Sequence, residues 1–333
     1  MRGSKILVIL ASLALVAAAC TTAASPTPTS GPTATAPSAT ATATEAAKKK
    51  VTFVTALLAD ANWAGGNKCW NDEVTALGFE GTMVAPQGET ASNADMVTLT
   101  EQAIATKPDA IEVVPLNPTA WDDVLGKVKA AGIPTVALLF EPSSKDLRTA
   151  IVLTNNTEYG TAGADLLITA TGGTATIGIL WGGPDLANQV AAIKGFKDQL
   201  AAKAPNMTVV AEAITIVGGN RSPEAQAEIA RGMLVANPEI TAIYTPDGGG
   251  AVAAVDAAKE LNKQPGEIKI IGSDHLPKVA DAIATDWMYA SVGYPFCAWG
   301  KAAVDTMDQI FKGTLTQTEI VIPSQIYDKD HNT

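Results

Sequence analysis

Residues 107–115 read Lys-Pro-Asp-Ala-Ile-Glu-Val-Val-Pro, and residues 237–246 read Asn-Pro-Glu-Ile-Thr-Ala-Ile-Tyr-Thr-Pro. Both open on a polar residue and a proline, pass an acidic side chain, run through apolar and β-branched residues and stop at a second proline. Proline has no N–H to give to a sheet and holds its predecessor extended, so the prolines bracket a short strand. The two stretches are 238 − 108 = 130 residues apart, the length of one compact α/β unit. Each is followed by a polar or glycine-rich turn, an amphipathic segment (121–131 and 251–261) and another β-rich run. The two halves therefore share a βαβ plan.

The same alternation extends outward in both directions. Strands are predicted at 51–58, 81–85, 110–114, 135–139 and 151–154, then at 176–180, 209–216, 242–245, 268–272 and 289–292. Most are apolar on both faces, as strands of a helix-covered parallel sheet must be. Between them Met96, Leu99 and Ala103, or Val304, Met307 and Phe311, recur at helical spacing and read as core stripes rather than a cofactor site. The stretch beyond Lys48 is longer than one compact lobe, which predicts an α/β protein of two doubly wound Rossmann-like lobes.

Ahead of this domain, Arg2 and Lys5 precede an apolar run at 6–16 and the small residues Ala17, Ala18 and Ala19, ending at Cys20. That is a secretory signal over 1–19, too short to span a membrane. The cysteine directly after it resembles the bacterial lipoprotein signal, which implies a diacylglycerol on Cys20 and a mature extracytoplasmic chain anchored to the cell membrane, on its periplasmic or outer face. Residues 20–47 are almost entirely Thr, Ala, Ser and Pro, cannot bury a core, and read as a disordered tether. The formal charge is −11, and −11 − 2 = −13 once Arg2 and Lys5 are removed. Nucleic acid is excluded as a partner, because phosphate binding needs a basic face.

The order and spacing of several segments resemble the type I periplasmic binding proteins, specifically the ribose, rhamnose and autoinducer-type sugar receptors of ABC importers. They are the strand and turn 51–63 with its helix ending Leu77-Gly78, the segment 131–136, the strand end 243–247, the segment 270–274 and the closing Phe311-Lys312-Gly313. The resemblance runs from Val51 to about Tyr327. It implies three passages of the chain between lobes, near Thr154, Tyr294 and Thr316, with lobes at 50–153 plus 295–316 and at 154–294 plus 317–328, and a disordered tail at 329–333. It further implies a monomer that delivers a small molecule to a membrane permease with a cytoplasmic ATPase; a receptor feeding a membrane sensor is the alternative.

Ligands of open parallel sheets sit beyond the carboxyl ends of the strands. After the first strand stand Asp60, Asn62 and Trp63; the resemblance places a sugar-stacking aromatic at Trp63 and hydroxyl-binding groups at Asp60 and Asn62, the other reading being a core cap and a helix cap. Asn117, Asp247 and Asp274 end later strands where related receptors bind hydroxyls, Tyr294 lies at the second passage, and Arg221 follows a Gly-Gly-Asn turn. Gly248, Gly249 and Gly250 form either a close backbone approach to ligand or a plain tight turn. After the fourth strand, Phe140 and Glu141 stand where many ribose-type receptors have Asp-Arg, an apolar wall that suits a less hydroxylated ligand such as a deoxysugar or nucleoside-like compound. By resemblance Cys69 and Cys297 both fall near the cleft end of the first lobe, as a disulfide or as two separate buried thiols.

Enzymatic chemistry has little to stand on. The two histidines are His275 and His331, and no nucleophile elbow, phosphate loop or paired-histidine metal motif is present, so neither cofactor nor metal is implied. Function follows from hinge closure around a solute, most simply a monosaccharide or sugar derivative.

Overall fold

The structure is a computed structural model and describes residues 47–58, 61–87, 92–217 and 222–332, the side chains of 61 and 62 excepted. Its first half alternates β1 (Lys50–Val54), α1 (Ala61–Ala76), β2 (Glu80–Val84), α2 (Asn93–Ala105), β3 (Ala110–Val113), α3 (Asp122–Ala130), β4 (Thr135–Leu138) and β5 (Ala150–Leu153). The second half alternates α4 (Asn156–Thr171), β6 (Thr176–Trp181), α5 (Ala187–Lys203), β7 (Thr208–Ile214), α6 (Pro223–Ala236), β8 (Ala242–Tyr244), α7 (Gly248–Glu260), β9 (Lys269–Ser273), α8 (Pro277–Ala284) and β10 (Ala290–Gly293). Helix α9 (Phe296–Lys312) and the short strands β11 (Glu319–Val321) and β12 (Gln325–Tyr327) follow.

The strands form two six-stranded sheets, ordered β11-β5-β4-β3-β1-β2 and β12-β10-β9-β8-β6-β7. Every pairing is parallel except β12 with β10. The two proline-bracketed stretches become β3 and β8, which hold the same place in their sheets. Central strands such as β3, β4 and β10 are buried along their whole length, whereas β7, at an edge, alternates exposed and half-buried residues. In β9 the neighbours Ile270 and Ile271 serve opposite faces: Ile270 packs with Ala254, Val255 and Ile283, and Ile271 with Tyr159, Phe196 and Tyr244. Period-two alternation thus builds a core on each side of one sheet.

Two expectations are corrected. Strand β11 pairs with β5, so residues 319–321 belong to the first sheet and the third passage follows β11, at 322–324, rather than lying near Thr316. Residues 329–332 are held rather than loose: Lys329 pairs with Asp286, Asp328 Oδ1 accepts from the backbone N–H of Asp330 and His331, and Asn332 bonds His275 and the Ala280 carbonyl. A short polar segment is ordered here because it follows a strand already paired to the sheet. Cys69 and Cys297 are joined by a disulfide, with Cα atoms 5.2 Å apart. It closes a loop of 228 residues, which in the chain-entropy view destabilises the unfolded chain by about 5 kcal/mol.

Glu112, in the middle of β3, is fully buried and stands in register with Phe53 of β1 and Val136 of β4. Burial pushes its carboxyl well above the usual value of 4.5, and the Trp70 indole offsets this only in part. Because the folded protein holds this proton longer than the unfolded chain, its contribution is complete below about pH 4.5 and is lost as pH rises, by at most about 1.4 kcal/mol per unit. Glu112→Gln is therefore expected to gain on the wild type as pH increases from 4.5 toward 8, read as the difference in Tm across that range.

Candidate site between the two lobes

The carboxyl ends of both sheets meet where the chain passes from one lobe to the other. Thr154, just after β5, is buried, and its hydroxyl donates to the Ile322 carbonyl at 2.7 Å while accepting the Trp299 indole N–H at 3.1 Å. One hydroxyl therefore ties the first passage to the start of α9, which follows the second, and to the third.

An aromatic series crosses the same region. Trp63, half-buried on α1, meets Phe296 edge-on at 5.5 Å between ring centroids. Phe296 packs on Trp299 at 5.1 Å and on Tyr294 at 6.5 Å, and Tyr294 stacks on Tyr159 at 4.6 Å. The Tyr294 hydroxyl donates to Asn156 Oδ1 at 2.7 Å and accepts from Asn188 Nδ2 at 3.3 Å. Burial, with Asp274 and Asp247 nearby, raises the Tyr294 pKa, so the phenol stays neutral.

The second lobe supplies the carboxylates. Asp247 caps α7: Oδ1 accepts the Gly250 N–H at 2.9 Å and Oδ2 accepts Gln189 Nε2 at 3.1 Å. Gln189, itself buried, also accepts the Gly182 N–H at 2.7 Å, which locks the amide between two strand ends. Asp274 follows β9 with φ at +63°, a left-handed conformation that Asp tolerates better than most residues. Its N–H donates to the Val292 carbonyl at 3.0 Å and its carbonyl accepts from Ser291 Oγ at 2.6 Å, so β10 fixes the turn.

The three glycines resolve into a packing role. A Cβ at Gly248 would lie 2.9 Å from Asp274 Oδ2, at Gly249 2.6 Å from Gln226 Oε1, and at Gly250 2.6 Å from Thr245 Oγ1. Their missing side chains let polar groups crowd the amino end of α7, where the helix dipole favours a carboxylate.

Trp63, Tyr294, Asp247 and Asp274 are thus brought to one region. Asn117 and Phe140 end neighbouring strands of the first sheet. Asn117 is exposed; its N–H donates to Asn93 Oδ1 at the start of α2 and its Oδ1 accepts from Thr119 in its own turn. Phe140 is half-buried on the first-lobe core beside Leu139, whose φ is +69°. Glu141 is committed to Arg148 through contacts of 2.5 and 2.6 Å. Asp60, Arg221 and Cys20 lie outside the described residues, as does the side chain of Asn62. Asn156, Asn188, Gln189 and Asn93 escaped the sequence reading; each opens a helix directly after a strand and its turn, the signal that would have found them.

A profile of the periplasmic binding protein domain matches residues 51–315. The chain belongs to this family. No curated protein sequence matches it. Solved structures of such binding proteins share its fold: a glucose-galactose binding protein from Geobacillus stearothermophilus has a TM-score of 0.76 at 22% identity, covering 85% of this chain and 98% of its own. An ABC transporter solute-binding protein from Burkholderia graminis in complex with D-arabinose gives 0.77 at 21%, covering 87% and 98%. Another, from Agrobacterium vitis with α-D-tagatopyranose, gives 0.75 at 19%, covering 86% and 96%. Among the described residues no helix is long and apolar enough to cross a membrane.

The joint at Thr154 can be broken by a single substitution. Thr154→Val leaves the Trp299 N–H and the Ile322 carbonyl without this partner, each costing about 1–3 kcal/mol when buried. Denaturant unfolding is expected to show a loss of roughly 2–4 kcal/mol, and Thr154→Ser to retain most of the stability.

Proposed function

We propose that this chain is the extracytoplasmic substrate-binding component of an ABC importer and captures a neutral monosaccharide between its lobes, without chemical change. The observation that carries this reading is the meeting of two unlike surfaces at the interlobe site. The first lobe brings Trp63 against Phe296, with Leu139 and Phe140 farther along the strand ends; the second brings Asp247 and Asp274 at the amino end of α7. A sugar has the matching asymmetry: an apolar C–H face that an indole covers, and hydroxyls that carboxylates accept. The sugars named for the structural relatives support the same class. Two carboxylates disfavour anionic ligands, and apolar residues where ribose-type receptors carry Asp-Arg favour a sugar presenting fewer hydroxyls to the first lobe.

Binding free energy drawn from both lobes stabilises the closed arrangement over the open one. A permease served by a cytoplasmic ATPase reads that closed state. Diacylglycerol on Cys20 would hold the domain near its permease, with 20–47 as spacer.

Residues 48–333 titrated with D-arabinose, D-galactose, D-glucose, D-tagatose and the anionic D-galacturonate are expected to bind a neutral sugar at one site by calorimetry and to ignore the uronate. Trp63→Ala should weaken that sugar by about 1–3 kcal/mol, and Asp274→Asn by about 1.5–3 kcal/mol. Binding of the uronate alone, or affinity unchanged in both variants, would overturn the assignment. For the anchor, the full chain made in a bacterium that processes lipoproteins is expected in the detergent phase, and Cys20→Ser in the aqueous phase.

A further inference from the structure

We propose that the Cys69–Cys297 disulfide is a positioning element of the ligand wall, holding Trp63 against Phe296; this rests on the sugar-binding reading of that wall. The bridge joins α1 to α9 close to the ends that carry these two aromatics, and Cys297 is the immediate neighbour of Phe296. Trp63, Gly66 and Cys69 follow one another at intervals of three residues along one side of α1, and Cys297 and Gly300 share that spacing on α9. Between them the helices touch backbone to backbone. A Cβ on Gly300 would lie 2.4 Å from the Gly66 carbonyl oxygen, and one on Gly66 2.9 Å from the Phe296 carbonyl oxygen.

The side chains that tie these helices, Trp70 against Gly300 and Glu73 paired with Lys301 at 3.1 Å, lie beyond the bridge along both helices, on the side away from Trp63. The first turns of α1 are also weak helix formers, since Gly65 and Gly66 favour the helix less than alanine would. Gly65 has open space around its Cβ position, so packing does not require that glycine. A covalent tie at Cys69 supplies what the local sequence lacks: it fixes the register of the two helices where Trp63 must face Phe296. Cys297 is exposed and Cys69 half-buried, so a small dithiol reaches the bond in the folded protein.

The test compares oxidised and reduced wild-type domain. Dithiothreitol gives two electrons and two protons to the S–S bond, leaving two thiols and becoming a cyclic disulfide; thiol counting confirms the reaction and far-UV circular dichroism confirms the fold. Two readouts follow: calorimetric affinity for D-arabinose and D-galactose, and the emission component of Trp63, isolated by subtracting Trp63→Phe. Reduction is expected to shift that component and to weaken the bound sugar about tenfold, as lost preorganisation does. If the domain unfolds on reduction, the double variant Cys69→Ala, Cys297→Ala, kept folded by an excluded osmolyte and compared with oxidised wild type in the same osmolyte, decides; the same two changes are expected. An unmoved Trp63 component and unchanged affinity, with only Tm lowered, overturn the proposal. A shifted component in a domain that binds neither sugar when oxidised retains the positioning role and defeats the sugar reading.

Discussion

The Thr154 hydroxyl is the point on which the two-lobed arrangement depends. Three separate segments connect the sheets, and left to themselves they would permit lobe movement about more than one axis. Donating to Ile322 and accepting from Trp299, this one side chain gathers all three into a single joint. Its environment adds rigidity without adding bulk. Trp299 packs on Tyr294 and Phe296, so the hydrogen-bonded joint continues directly into the aromatic series. Whatever touches Trp63 or Tyr294 therefore acts close to the joint between the lobes.

The two lobes repeat one topology but present unlike surfaces at their strand ends. Around the amino end of α7, glycines remove every Cβ that would separate Asp274, Gln226 and Thr245 from the helix backbone. Helix dipole, cap and buried amide converge there, which keeps a cluster of acceptors ordered. In the first lobe the corresponding strand ends carry leucines and aromatics that pack onto the core. An apolar wall needs shape rather than hydrogen bonds, so its precision comes from how α1 and α9 are held together.

Glu112 shows what a parallel core tolerates away from the site. Its carboxyl lies in the apolar interior of the first lobe, is driven toward the neutral form by burial, and has no role in the interlobe region described above. Neutralisation lowers the desolvation cost that a charge would impose. Its consequence is on stability rather than on recognition.

The amino-acid sequence by itself determined the alternation of strands and helices, the duplication and the apolar-on-both-faces strands, because these are written in periodicities of two and 3.6 residues and in prolines that end strands. It also marked Trp63, Asp247, Asp274 and Tyr294, since residues after strand ends gather at one side of an open sheet whatever the details of packing. The short strands β11 and β12 went unread: three residues each leave no period to detect, and pairing with an existing sheet edge stabilises them. Tertiary structure alone decided that the Thr154 hydroxyl joins three passages and that Glu141 turns to Arg148. It alone made the three glycines a seat for polar side chains. Thr154 and Gly248 depend on partners distant in the chain, and Glu141 and Arg148, though seven residues apart, are joined across the loop from β4 to β5; local sequence carries no record of a contact whose two sides meet only after the sheets have formed.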